Sequence, residues 1–159
     1  MESNPKLKQI YLALLVLAIV ALSFFRESVF VNINGHIWFL YYHNDKSYLY
    51  SFLSFLLPLT YLQLYWFKWL LTLLFVALFL FLSCLVIKLL FGDKKFVKWT
   101  IYAFLAIIMI AAVSYGVGIL FNKSGDGYLL ARFFMGMIQS PFLLMFLIPA
   151  FFLEKNISK

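Results

Sequence analysis

Tyr128, Arg132, Gly136 and Gln139 recur at spacings of four, four and three, which in an α-helix puts all four on one face. A cation, an amide and a small residue in one stripe of an apolar segment should face protein or a wet cavity, because each polar group loses water in lipid. The chemistry such a stripe supports is recognition. An arginine holds a carboxylate or a phosphate through two parallel hydrogen bonds. A second pair, Arg26 and Glu27, ends a run of sixteen uncharged residues from Ile10 to Phe25. There Arg26 can snorkel to the headgroups while Glu27 partly neutralises it. We expect Glu27 to lie opposite Arg132 at one depth, so that Arg26, Glu27, Arg132 and Gln139 form one partner- or substrate-binding site. The competing explanation is an arginine that only fixes bundle packing.

Other reactive residues do not assemble into a catalytic set. The single cysteine, Cys84, lies inside an apolar run, so no intrachain disulfide is available. Its nearest histidines, His36 and His43, are expected on the opposite side of the membrane, which argues against a Cys–His nucleophile. No H-E-x-x-H, Gly-rich phosphate loop or carboxylate pair occurs. No catalytic residue, metal ligand or cofactor is therefore assigned, and an intramembrane enzyme is the least supported class.

The elements that position the stripe follow from composition. With 65% hydrophobic, 21% aromatic and 12% charged residues and a mean hydropathy of +0.98, the 159-residue chain cannot cover a water-soluble globule. Its charges cluster between long apolar runs, and about 20 helical residues cross a hydrocarbon core roughly 30 Å thick. The net charge of +7 is explained by orientation signals beside the spans, which removes the argument for nucleic acid. The expected fold is all-α and polytopic, one integral membrane domain over 1–159. Its four spans cover about 10–25, 69–90, 96–121 and 128–153.

Residues 28–68 form an aromatic segment that should lie at the interface or re-enter the membrane, with a fifth span as the alternative. "VFVNINGHIWF" alternates around Asn34-Gly35, a hairpin signal. The tyrosines and tryptophans from Tyr48 to Trp69, with His43-Asn44-Asp45-Lys46 before them, suit the headgroup zone. Gly92 should end the second span and Asp93 cap the third, while "NKSGDG" forms a short turn. Ala112/Gly116 and Ser114/Gly118 are small-residue packing pairs, and Gly136 should admit a neighbouring helix. Pro141 and Pro149 bend the fourth span, with Gln139 and Ser140 available to satisfy freed carbonyls.

With both termini cytoplasmic, eight of the thirteen Lys and Arg fall on that side and five on the other. Ala21-Leu22-Ser23 offers a signal-peptide cleavage pattern, but Phe24-Phe25-Arg26 is a poor mature N-terminus, so a retained span is expected.

The ending "ARFFMGMIQSPFLLMFLIPAFFLEK" resembles that of the small membrane proteins associated with exosortase F in Bacteroidetes-type bacteria, through Arg132-Phe133, Ile138-Gln139, Pro141 and Ile148-Pro149-Ala150-Phe151. Arg26-Glu27, "LLPL" and "KLLFGDKKFVKW" follow the same order. Ala131 replaces that family's second arginine, Ser140 intervenes before Pro141, and the family's Tyr-Asp-Pro after the first span is missing. The resemblance implies a non-enzymatic accessory protein of the bacterial inner membrane. It would contact an exosortase-type transpeptidase, or that enzyme's membrane-anchored substrate, at the outer face, with membrane lipids around it. A small transporter or lipid-handling protein is the alternative.

Overall fold

The computed structural model describes residues 5–42 and 49–157; His43, Asn44, Asp45, Lys46 and Tyr48 lie outside the described residues. Five α-helices follow one another: α1 Pro5–Tyr42, α2 Tyr61–Phe91, α3 Lys94–Leu120, α4 Ser124–Ile138 and α5 Phe142–Ile157. A 3₁₀ helix at Ser51–Leu56 separates the first two, and the described residues contain no strand. Helices α1, α2 and α3 are each long and apolar enough to cross a bilayer, and α4 with α5 makes a fourth, broken span bent by 60°. The protein is an all-α polytopic membrane protein.

Helix α1 does not stop after Phe25. It continues through Arg26, Glu27 and Asn34-Gly35 for 38 residues, a length of about 57 Å. The hairpin signal at Asn34-Gly35 yields no turn, because a helix satisfies its backbone groups internally where apolar surroundings offer no other partners. Asn32, instead of starting a turn, donates from Nδ2 to the Ser28 carbonyl at 2.9 Å. Its Oδ1 accepts from the Tyr50 N–H at 3.3 Å, tethering the entry to the 3₁₀ helix. Val29, Ile33, Ile37 and Leu40 recur at helical spacing and pack with Leu53, Leu56 and Leu64 into a small upper cluster.

The aromatic segment 28–68 is thus divided among α1, the 3₁₀ helix and α2. Helix α2 begins at Tyr61, eight residues ahead of the predicted start, because Thr60 and Gln63 form a reciprocal capping box just after Pro58. Trp38, Tyr41, Tyr42, Tyr61 and Trp66 remain exposed around this end, with Tyr41 against Tyr61 at 5.9 Å. Such rings suit the headgroup layer.

The α2–α3 link follows its sequence. Gly92 adopts a left-handed conformation (φ 71°) and returns its N–H to the Lys88 carbonyl, and Asp93 caps α3 by accepting from the Lys95 N–H at 2.8 Å. Contacts of Phe30 with Phe75 and of Tyr41 with Tyr61 make α1 and α2 antiparallel. The short α2–α3 and α3–α4 links continue the alternation. Both the start of α1 and the end of α5 therefore lie at the end of the bundle where Lys95 meets Glu154 at 2.6 Å.

Small residues bring α3 and α4 together. A Cβ on Gly127 would stand 2.7 Å from Gly118 Cα and 2.8 Å from the Ser114 carbonyl oxygen, so these backbones touch. The Ser114/Gly118 pair is a packing surface as predicted. Gly116 and Gly136 are not, for a Cβ at either would meet nothing within 4 Å.

The predicted fourth span is two helices. Pro141 has no N–H to donate and disfavours helical geometry at Ser140, and the chain breaks over residues 139–141. Ser140 Oγ donates to the Met137 carbonyl at 2.9 Å, satisfying one group freed there. Pro149, by contrast, is accommodated inside α5.

Candidate functional site

The break in the fourth span faces Arg26. Gln139, 1% exposed, is the residue that joins them. Its Oε1 accepts from Arg26 Nε at 3.0 Å, and its Nε2 donates to the Thr72 carbonyl of α2 at 3.0 Å. One amide thus ties α1, α2 and the α4–α5 break, with both of its ends satisfied as a buried amide requires.

Arg26 is held on three sides. Besides Gln139, its Nη1 donates to Glu27 Oε2 at 2.8 Å, and its guanidinium carbon stands 4.9 Å from the centre of the Phe30 ring. Only 19% of the side chain is exposed, against 63% for Glu27. The pairing therefore differs from expectation: the Glu27 carboxylate binds its neighbour Arg26, and no Glu27–Arg132 ion pair occurs among the described residues. Adjacent residues on a helix do not share a face, but a long guanidinium drawn back by Gln139 can still reach the next carboxylate.

Above this junction lies a cavity of about 920 Å³. The four predicted site residues, Arg26, Glu27, Arg132 and Gln139, all line it, as do Tyr128 and Gly136 of the α4 stripe. Arg132 lies near enough for its charge to act on Arg26. The cavity occupies the angle opened where α4 turns away from the axis of α5, between α1 and α2 on one side and α3 and α4 on the other. Gly136 leaves room there instead of admitting a helix.

Polar lining residues not anticipated as site residues include Asn34 on α1, and Tyr65, Lys68 and Thr72 on α2. The last three stand at spacings of three and four, the same one-face pattern that singled out α4. A signal was therefore present, hidden by starting the second span at Trp69. Thr72 turns its own hydroxyl to the Lys68 carbonyl at 2.9 Å, leaving its carbonyl to receive Gln139.

Cys84 and His36 do not line the cavity. His36 is buried beside Phe39, with ring centroids 5.6 Å apart. Cys84 lies on the order of 20 Å farther along α2. Among the described residues no group of three or more His, Cys, Asp or Glu converges on a point.

Comparison with protein-family models, curated proteins and solved structures finds no match to this chain.

Proposed function

We propose that this chain is a non-enzymatic accessory protein of an exosortase-type sorting system. Its cavity contacts the transpeptidase or that enzyme's membrane-anchored substrate through an anionic group on the partner. One observation carries the recognition part of this reading: Arg26, Lys68 and Arg132 line a single cavity whose carboxylate, Glu27, is already engaged with Arg26. Cations gathered among apolar helices mark a binding or transport path by default, and arginine is suited to a carboxylate or phosphate. The sorting-system part rests on the C-terminal resemblance, in which Arg132, Gln139 and Pro141 are matched residues. These line the cavity or make the break beside it. The non-enzymatic part is supported by the position of Cys84 away from the cavity and by the engagement of the Ser140 hydroxyl with a backbone carbonyl.

The test is copurification of the intact protein with an exosortase-type transpeptidase or its substrate. Capture that disappears in Arg132→Ala, with fold and expression kept, supports the reading; unchanged capture rejects it. In this reading the protein lies in the bacterial inner membrane with both termini cytoplasmic. Reporter fusions at residue 159 and in the turn near Lys123 should then report opposite compartments.

The broken helix beside the cavity favours a second reading, a small transporter or lipid-handling protein. Beneath the cavity, Phe75, Phe79, Phe104, Ile138 and Leu144 belong to one packed apolar core. That packed apolar core supports lipid handling more than passage of a polar solute. Solute flux through proteoliposomes would favour transport over the accessory role.

A further inference from the structure

Three cations and one carboxylate line the cavity, an excess of two positive charges. Arg26 has spent Nε on Gln139 and Nη1 on Glu27, and its Nη2 keeps both protons without a hydrogen-bond partner among the described residues. Lys68 and Arg132 have no carboxylate partner among those residues. Arg26 and Arg132 line the same space, and like charges facing each other among apolar side chains repel at a cost that water at high dielectric would hide. An anion between them removes it.

The charge excess distinguishes among anions. A carboxylate or a phosphodiester brings one negative charge and leaves one cation uncompensated, whereas a phosphomonoester brings about 1.5 to 2 and three acceptor oxygens. The fork of Arg132, the Nη2 of Arg26 and the ammonium of Lys68 offer donors to match.

The walls identify what carries that phosphate. A free phosphate ion would fill only a small part of about 920 Å³, and Trp69, Leu73, Phe133 and Phe142 line the cavity while remaining exposed. The polar group thus opens onto an apolar surface at membrane level. The site lies on the order of 24 Å, sixteen helical residues, from the Lys88 level of α2, with Trp66 and Trp69 one to two turns beyond Thr72 toward the other end. A hydrocarbon core of about 30 Å reaching from Lys88 would therefore end near these tryptophans. That is where a lipid headgroup comes within reach of Lys68 and Arg132.

We propose that the cavity holds the phosphomonoester group of a single lipid among Arg26, Lys68 and Arg132, with its hydrocarbon chain against Leu73 and Phe142. This rests on the reading of the cavity as a binding site and names the ligand class. The phosphate can be carried by a diacylglycerol or by a polyprenyl chain, and the chemistry that recognises it is common to both.

The test is native mass spectrometry of the purified full-length protein, without any partner, offered one lipid at a time: phosphatidic acid, polyprenyl monophosphate, phosphatidylglycerol, a fatty acid or diacylglycerol. The expected result is one retained phosphatidic acid or polyprenyl phosphate per chain, about tenfold above the other three, and the preferred carrier is whichever of the two is retained more. Arg132→Gln and Lys68→Gln should each lower retention by about tenfold, and Arg132→Lys should restore part of it. Gly136→Leu points into open space, so it should block the lipid while helicity and monodispersity are kept.

Retention of the fatty acid or phosphatidylglycerol as strong as that of the phosphomonoesters would overturn the ligand class and leave the cavity a binding site. Full displacement by millimolar inorganic phosphate would overturn the lipid assignment. Retention unchanged in folded Arg132→Gln and Lys68→Gln would overturn the site. A folded chain retaining none of these amphiphiles would overturn the lipid class, and capture of a transpeptidase by that same preparation would show the accessory reading standing without it.

Discussion

The two ends of this bundle solve the same packing problem differently. At the end where the first helix begins and the last one stops, Phe91, Phe96 and Phe151 interlock with ring centroids 4.9 to 5.8 Å apart. At the other end, α3 and α4 are drawn together by Gly118 and Gly127 while α1 and α2 share their own apolar cluster. The two pairs part, and the space between them holds Arg26, Lys68, Arg132 and Gln139 among mostly apolar side chains. Lipid tails are as apolar as leucine, so helices in a bilayer hold together by close contact and hydrogen bonds rather than by burial alone. One end is closed by interlocked rings, while at the other a single glutamine bridges the parted pairs.

The contrast can be broken first in the core between the two ends. Phe79, 1% exposed in the main core, should be the most costly to truncate: Phe79→Ala leaves a void worth about 3 to 5 kcal/mol, read as the largest fall in unfolding free energy in mixed micelles. Gly127→Leu comes next, because its Cβ collides with backbone and not with a movable side chain. A loss of about 3 kcal/mol is expected, with separation of α3 from α4 seen by spin-label distances. Gln139→Leu should cost less, about 1 to 2 kcal/mol, the scale of polar contacts between membrane helices. Its effect should concentrate at the cavity end, as faster hydrogen exchange around residues 139–142. Gly136→Ala, facing open space, should leave thermal stability unchanged. Glu154→Gln should likewise leave unfolding almost unchanged, since Lys95 and Glu154 are both exposed and such pairs contribute little.

Much of this was legible in the chain. Charges inside apolar runs are conspicuous, so Arg26, Glu27, Arg132 and Gln139 could be singled out, and all four line the cavity. Gly92 and Asp93 act locally, and their roles as helix end and cap were readable for that reason. Reading failed where a short-range signal competed with a longer one. Asn34-Gly35 is a turn dipeptide, but the helical spacing of Val29, Ile33, Ile37 and Leu40 prevails because the apolar face they form is buried against Leu56 and Leu64. The Thr60–Gln63 capping box was also present in sequence. Starting α2 there makes Tyr65 and Lys68 helical residues on the face of Thr72 and brings them into the site.

The sequence by itself determined that this chain threads a bilayer as helices, where α2 ends and where α3 begins and ends, and which few polar residues must find company inside. Hydropathy, capping and turn chemistry act over a handful of neighbours, so they can be read in place. Only the tertiary structure decided which company they keep. Arg26 and Gln139 are 113 residues apart, and their meeting depends on how far Pro141 bends the fourth span. The same 60° bend opens the cavity, and no local pattern encodes an angle between two helices.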